Sequence, residues 1–282
     1  GAASLFGKYF RQIRSNKKFT QVYVCQEIIS RTALSKFENE KNSVTLHTAI
    51  CLLNKIDMSF DEFLYVCNNF KFQEKQLILA KYFSIVDDLS TNQVIKIIHL
   101  GDLYLKKQYD QLIFDITVIL KNSLKFQTIV PDNDSDNSEI LIIWKRLAEM
   151  EQWYLIELKL INSILFVLPR EIAYNAGLRI LKEITKYNDF HYCTDLNLSI
   201  LKNLSTLFLY YNNYEKCCYI SSKLVDLALE KKRYDFLAVG LVRTGFCEND
   251  QTKIDKGMEI LKITEDKIMF SYLSSELKKF KN

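Results

Sequence analysis

The spacing of apolar residues predicts helices along almost the whole chain. Phe6, Phe10 and Ile13 recur at intervals of four and three, which places them on one face of a first helix. Comparable spacing continues to the end of the sequence, and alternation of apolar and polar residues never lasts more than a few positions. The pattern therefore predicts an all-α protein whose helices are joined by short polar turns.

Hydroxyl residues mark where several short helices begin within residues 5–70. Thr20, Ser30 and Ser59 are predicted N-caps, because their side chains can accept hydrogen bonds from the free amides of a first helical turn. Glu62 follows Ser59 by three positions, which completes a capping box. With the helix at Phe6 and the stretch "VTLHTAICLLNKI", these caps predict a bundle of five short helices.

The same periodicity predicts which apolar side chains face the core of this bundle. Leu34 and Phe37, three apart, should anchor the third helix, which begins at the Ser30 cap. For the second helix the predicted inward residues are Val22, Cys25 and Ile28, and for the fourth helix they are Leu46, Ile50 and Leu53.

Beyond residue 66 a recurring turn pattern predicts stacked helix pairs. "LYLKKQYDQ" (103–111), "LYYNNYEKC" (209–217) and "LALEKKRYDFL" (227–237) each end one helix, turn through a few polar residues and restart at a tyrosine. Such turns are typical of a tetratricopeptide-like (TPR-like) α-solenoid, although the full 34-residue signature is absent.

Composition narrows the class of protein. With 48% hydrophobic and 26% charged residues the chain is typical of globular proteins. Only 7 glycines and 2 prolines argue against many short strands and predict few turns with positive φ. Seven cysteines form no C-x-x-C pair, which favours core packing in a reducing compartment. No apolar run reaches the ~18 residues of a membrane span, so we predict no membrane partner. The reducing compartment indicated by the cysteines predicts a cytoplasmic protein.

Charge is concentrated at the beginning of the chain. The net charge is +4, yet the first 41 residues alone contain eight basic and three acidic side chains. The remainder is close to neutral. This asymmetry predicts that the first bundle binds a polyanion.

The stretch "FTQVYVCQEIISRTALSKFENEK" (19–41) has the parts of a helix-turn-helix that reads DNA. Gln21 begins the second helix and can contact phosphate through its amide and through free backbone N–H groups. Arg31 can bind guanine O6 and N7 as a bidentate pair. The predicted base-side residues of the third helix are Arg31, Thr32, Ser35 and Lys36, and the predicted backbone contacts of the first helix are Arg11 and Arg14.

Three blocks, "GKYFRQIRSNKKFTQ", "IISRTALSKFENEKNSV" and "LLNKIDMSFDEFL", resemble the N-terminal domain of the Rgg/MutR family of transcriptional regulators. The resemblance implies a phage-repressor-like helix-turn-helix domain over residues 5–66 and a helical-repeat domain over 67–282. It also implies that the third helix reads a double-stranded operator and that the repeats form a homodimer and bind a short hydrophobic signalling peptide, as in quorum sensing. RNA polymerase is a further candidate partner.

One residue departs from the family pattern. Related repressors usually have a glycine after "FEN", and this chain has Glu40. Either the turn avoids positive φ or Glu40 adopts it with strain, and an acidic side chain there indicates that the turn faces away from phosphates.

A peptide groove needs groups that pair with an extended backbone and with its carboxylate. Asparagine both donates and accepts hydrogen bonds, and arginine pairs with carboxylate. The candidates are Asn203, Leu207 and Tyr210, which form one helical stripe, with Asn162, Arg146 and Arg179. Alternatively, the asparagines bond to neighbouring turns and the arginines are solvated or paired on the surface.

Two other classes of function remain as alternatives. A helical-repeat scaffold that binds proteins would carry the basic bundle without using it on DNA. An enzyme is less consistent with the chain, since it has no G-x-G-x-x-G, phosphate loop, nucleophile elbow or H-E-x-x-H motif. The scattered histidines predict no metal site, and nothing predicts a cofactor.

Overall fold

A computed structural model describes residues 5–85, 91–125, 137–190 and 193–281. These residues form helices and turns and contain no strand, in agreement with the predicted all-α class. Two compact units are present, residues 1–77 and 78–282. Assigning DNA binding to residues 5–66 and peptide binding to 67–282 stays a prediction, because packing alone assigns no function.

The first unit contains five short helices around a small apolar core. Their N-caps follow the predicted hydroxyl pattern: Thr20 accepts from the Tyr23 amide, and Ser30 accepts from the Ala33 amide at 3.1 Å. Ser59 likewise accepts from the amide of Glu62. The helices are α1 (Phe6–Asn16), α2 (Gln21–Cys25), α3 (Arg31–Glu38), α4 (Leu46–Lys55) and α5 (Phe60–Cys67).

The core of this unit contains Phe10, Leu34, Phe37 and Phe63. The periodicity of α1 and α3 predicted the first three of these residues. The prediction for α2 was wrong at Val22, which is 62% exposed while Val24 is fully buried. Helix α2 has five residues, little more than one turn, so that its apolar spacing does not define a face.

For α4 the predicted face was also wrong at two positions. Leu46 and Ile50 are exposed, whereas Leu52 and Leu53 are buried. Six of the ten residues of α4 are apolar and lie around its circumference, so the pattern does not define one buried face, and contacts with α2 and α5 select it.

The second unit is a series of helices that pack on their sequence neighbours, as predicted for a TPR-like solenoid. The unit boundary lies within α6 (Glu74–Ser84). The remaining helices are α7 (Thr91–Lys107), α8 (Gln111–Lys125), α9 (Ser138–Ala148), α10 (Leu155–Ile164), α11 (Arg170–Ile184), α12 (Thr194–Tyr210), α13 (Tyr214–Lys231), α14 (Tyr234–Glu248), α15 (Gln251–Ile263) and α16 (Lys267–Lys281).

Three successive turns, which join α12 to α13, α13 to α14 and α14 to α15, reverse the chain within two or three residues. Asn212, Lys232 and Asn249 each adopt a left-handed conformation there, with φ between 54° and 57°. After each of them an amide donates to a carbonyl five residues earlier, as from Asn213 to Phe208 at 2.8 Å, which closes the end of the helix.

The expectation of few positive-φ turns was therefore wrong. Among the described residues ten non-glycine residues have positive φ, and no glycine does. Left-handed geometry is cheapest for glycine, but asparagine and, at higher cost, other residues also adopt it at helix ends. The glycine count consequently underestimated these turns.

A buried ion pair joins α14 to α16 within the second unit. The Arg243 guanidinium lies 2.9 Å from Glu276 and also donates to the Ser205 hydroxyl and to the carbonyl of Lys202. Burial and the negative charge of Glu276 raise the pKa of the neighbouring Tyr272 phenol. Every nitrogen of Arg243 thus has a partner, which a buried charge requires.

Candidate nucleic-acid interface and peptide site

Helix α3 presents a polar face opposite the apolar anchors Leu34 and Phe37. Arg31, Thr32 and Lys36 are exposed on this face, and Ser35 is half-buried. Three of the four predicted base-side residues are therefore exposed to solvent. The Ser30 cap begins the helix immediately before Arg31, which puts Arg31 and Thr32 in its first turn, the part that usually meets base edges.

Glu38 lies at the centre of a hydrogen-bond network beneath this face. Its carboxylate receives Arg14 through two nitrogens, at 2.5 and 2.9 Å, and the Gln21 amide at 2.8 Å. The Gln21 oxygen in turn accepts from Nε of Arg31 at 3.5 Å. This network connects the first residues of α2 and α3.

The prediction that Arg14 contacts a phosphate is wrong, because Arg14 lies inside the unit. Arg14 is only 8% exposed, and its guanidinium is occupied by Glu38 and by the carbonyl of Phe19. Its charge is neutralised inside the unit and cannot contact a phosphate. An arginine and a glutamate 24 residues apart gave no local signal of this pairing.

Arg11 is exposed, and it donates to the side chain of Asn39 at 3.1 Å. Gln21 is half-buried and committed to Glu38 and Arg31. Its predicted phosphate contact stays untested, but the structure adds a second role, since Gln21 orients Arg31. Lys17, in contrast, is used locally, because its ammonium donates to the carbonyls of Ile56 and Asp57 at the end of α4.

Glu40 adopts the left-handed conformation, with φ at 56°, so the second of the two alternatives holds. Its carboxylate accepts a 2.6 Å hydrogen bond from the backbone amide of Lys8, one of the free amides in the first turn of α1. An acidic group at a helix N-terminus is favourable, so Glu40 stabilises the contact between α1 and the α3 turn.

The two predicted asparagines of the peptide site lie together in the second unit. Asn203 on α12 donates to Asn162 on α10 at 3.1 Å, and Asn162 donates to Ser199 at 3.0 Å. Asn162 is buried and satisfied by these bonds, so it holds the two helices together. Asn203 is half-buried and keeps part of its amide accessible.

The other predicted peptide contacts lie in separate local environments. Leu207 is buried in the core and is corrected from a groove residue to a packing residue. Tyr210 is half-buried, with its ring 5.1 Å from Phe280 on α16. Arg179 is committed to the carbonyls of Met150 and Glu151 and lies over the ring of Trp153, which corrects its role to a structural one.

Arg146 pairs with the buried carboxylate of Asp115, and its own side chain is 36% exposed. Burial raises the pKa of Asp115, although a hydrogen bond from Gln111 and the charge of Arg146 act in the opposite direction. A peptide carboxylate would therefore have to compete with Asp115 for Arg146.

One buried lysine of the second unit was not predicted from the sequence. Lys159 on α10 donates to the carbonyl of Ile85 at 2.6 Å and lies over the ring of Tyr82. The Tyr82 hydroxyl is 2.7 Å from the hydroxyl of Ser163, also on α10. The available signal was a charged residue between Leu158 and Leu160, on a helix where both neighbours are buried apolar residues.

Solved structures with the same fold span both units. A candidate transcriptional regulator from Listeria monocytogenes superposes with a TM-score of 0.73 at 20% identity, covering 98% of this chain and 97% of its own. The SHP pheromone receptor Rgg2 from Streptococcus dysgalactiae gives 0.66 at 15% identity, covering 97% and 99%. This chain has the Rgg2 fold.

PlcR from Bacillus thuringiensis, solved in complex with the peptide PapR7 and DNA, matches equally completely. Its TM-score is 0.69 at 14% identity, over 98% of this chain and 99% of PlcR. No family model and no curated protein matches the sequence. The Rgg2 fold and the resemblance of the three sequence blocks agree on an N-terminal helix-turn-helix followed by TPR-like repeats. In the described part of the chain no helix is long and apolar enough to cross a bilayer.

Proposed function

We propose that this protein is a sequence-specific DNA-binding transcription regulator controlled by a short hydrophobic peptide that binds its helical repeats. The observation that supports this most strongly is the match over nearly the whole chain to PlcR, a protein crystallised with both DNA and a peptide. The exposed polar face of α3 also supports the DNA component, because it presents Arg31 and Thr32 in the first helical turn.

Within this proposal α3 enters the major groove. Arg31 reads a guanine through its guanidinium, Thr32 and Ser35 contact neighbouring base edges, and Lys36 contacts a base or a phosphate. Arg11 contacts the DNA backbone. Gln21 holds Arg31 by its Nε, which leaves the two terminal nitrogens of Arg31 for the guanine.

Arg31→Ala is expected to weaken binding to the preferred sequence by about 1–3 kcal/mol and to relax specificity at one base position. The preferred duplex is first selected from a random library with the unmodified protein, and affinities are then measured by fluorescence anisotropy at several salt concentrations. Arg31→Lys separates electrostatic attraction from recognition of guanine, because lysine keeps the positive charge but lacks the bidentate geometry.

The matched control for Arg31 is Lys106→Ala, an exposed basic residue of the second unit. It should leave affinity and the salt slope unchanged. Unchanged affinity and base preference in Arg31→Ala would contradict the assignment of α3. Weak binding without steep salt dependence in the unmodified protein would favour the scaffold alternative.

For the peptide component we propose that Asn203 pairs with the peptide backbone, with Tyr210 and Arg146 as further candidate contacts. A peptide at 100 times its dissociation constant stabilises the folded repeats by about 2.7 kcal/mol, which is readily visible as a rise in melting temperature. A panel of short apolar peptides with free carboxylates is therefore screened by thermal shift.

Asn203→Ala should abolish the thermal shift of any active peptide, whereas Asn197→Ala, on the same helix α12 and also half-buried, should retain it. If both variants respond like the unmodified protein, Asn203 is not a peptide contact. If no peptide shifts the melting temperature, the receptor proposal fails while DNA binding is tested separately.

The coupling between the two components would be a shift in population. A peptide that binds one arrangement of the repeats more tightly favours that arrangement and thereby changes DNA affinity, by a factor equal to its differential affinity. Cytoplasmic location and a homodimer are parts of this proposal.

A further inference from the structure

Helices α13 and α14 are neighbours that run in opposite directions, because the two-residue turn at Lys232 and Arg233 reverses the chain. Their backbones approach unusually closely at Gly240. A Cβ atom there would lie 3.2 Å from the carbonyl oxygen of Ser221 and 2.8 Å from a methyl group of Val225. The absence of a side chain at Gly240 therefore allows side chains on either side of it to meet at short range.

This register places two cysteines against each other. Cys217 lies in the first turn of α13, and Cys247 in the last turn of α14. The adjacent residues meet as well, since the Cys218 sulfur lies 3.8 Å from the carboxylate of Glu248. Gly240 faces Ser221 and Val225, and Glu248 faces Cys218, so this register brings Cys217 and Cys247 to facing positions on the two helices.

We propose that Cys217 and Cys247 are a redox modification site and form an intramolecular disulfide that links α13 to α14. Both are free thiols in the structure. Cys247 is partly exposed and opens the pair to a small oxidant, while Cys217 is completely buried. A disulfide needs Cα atoms only about 4.4–6.8 Å apart, a range that closely packed helices reach.

The surroundings favour Cys217 as the nucleophile. The neighbouring Cys247 thiol and the positive charge of Arg243 lower the pKa of the Cys217 thiol. The neighbouring Cys217 thiol and burial raise the pKa of Cys247. The thiolate is the reactive form of cysteine, so Cys217 attacks first and Cys247 resolves the product.

With a hydroperoxide as oxidant the reaction balances. The Cys217 sulfur attacks one peroxide oxygen, the O–O bond breaks, and water leaves with one added proton, which gives a sulfenic acid. The Cys247 sulfur then loses its proton and attacks Cys217, and the sulfenic hydroxyl leaves as a second water. Two thiols and one hydrogen peroxide thus give one disulfide and two waters, and a dithiol reductant reverses the outcome.

The test treats the full-length protein with hydrogen peroxide, blocks the remaining thiols with an alkylating reagent and maps disulfides by mass spectrometry. The expected product is a cross-link between Cys217 and Cys247 within one chain, removed by dithiothreitol. Oxidation should also raise the melting temperature by several degrees, because the cross-link restricts the unfolded chain.

Cys247→Ser and Cys217→Ser should each abolish this cross-link, and Cys218→Ser, one residue away, should retain it. Cys247 is partly exposed, so its variant keeps the result interpretable if Cys217→Ser unfolds; circular dichroism checks the fold of both. The proposal is overturned if Cys217 and Cys247 stay alkylatable while other cysteines are oxidised. Cross-links only through Cys218 or between chains overturn it equally.

Discussion

Replacing Glu38 by alanine is expected to lower the free energy of unfolding of the first unit by about 3–5 kcal/mol, because it leaves a buried guanidinium without its counter-charge. Glu38 is 3% exposed and accepts three hydrogen bonds, two from Arg14 and one from Gln21. Its loss also frees Gln21, and with it the hydrogen bond that orients Arg31. Stability and DNA affinity should therefore fall together.

Hydrogen exchange of the α3 backbone amides, followed by mass spectrometry, measures this loss within the first unit alone. The matched control is Glu62→Ala, an exposed carboxylate on α5, which should cost less than about 1 kcal/mol. The double variant Arg14→Met with Glu38→Leu should recover most of the stability, since an apolar pair has no charge to leave unpaired. Equal protection in Glu38→Ala and the unmodified protein would refute the role of the buried pair.

Gly7→Ala is expected to destabilise the same unit by about 3 kcal/mol or more, as overpacking against a rigid backbone does. An added Cβ would overlap the carbonyl oxygen of Phe37 and lie 2.7 Å from its carbon, at the point where α1 crosses the end of α3. These are backbone atoms and cannot rotate away. The helices would have to separate, which would also break the bond from the Lys8 amide to Glu40.

The expected result for Gly7→Ala is loss of DNA binding with the second unit still folded, seen as an early unfolding transition in a denaturant titration. Ser15→Ala, on the exposed side of α1, is the control and should be neutral or slightly stabilising, because alanine favours helix. A Gly7→Ala protein with unchanged stability would show that α1 and α3 are not held at this distance.

Helix boundaries and caps could be predicted because they depend on neighbours in sequence. Thr20, Ser30 and Ser59 cap the helices that the pattern assigned to them, and the turns at Asn212 and Lys232 lie where the repeated motif predicted. The exposed polar face of α3 belongs to the same class. Once Leu34 and Phe37 face the core, Arg31, Thr32 and Lys36 are left on the exposed side of the helix.

The bonding partners of charged and amide side chains could not be predicted in this way. Arg14, Arg179 and Asn162 all have partners between 24 and 41 residues away in the chain. Each was predicted to contact a ligand, but its polar groups are already bonded within the protein. Helical spacing shows which side of a helix a residue occupies, but not whether another element covers that side.

The sequence by itself determined the helical class, the caps, the solenoid turns and the candidate face at Arg31, because each follows from periodicity and short-range hydrogen bonding. Only the tertiary structure decided that Arg14 pairs with Glu38, that Glu40 caps α1 and that Cys217 and Cys247 occupy facing positions on α13 and α14. The physical reason is that the free energy of burying a charge, an amide or a thiol depends on the partner that packing brings to it. That partner is remote in the chain, so local sequence does not reveal it.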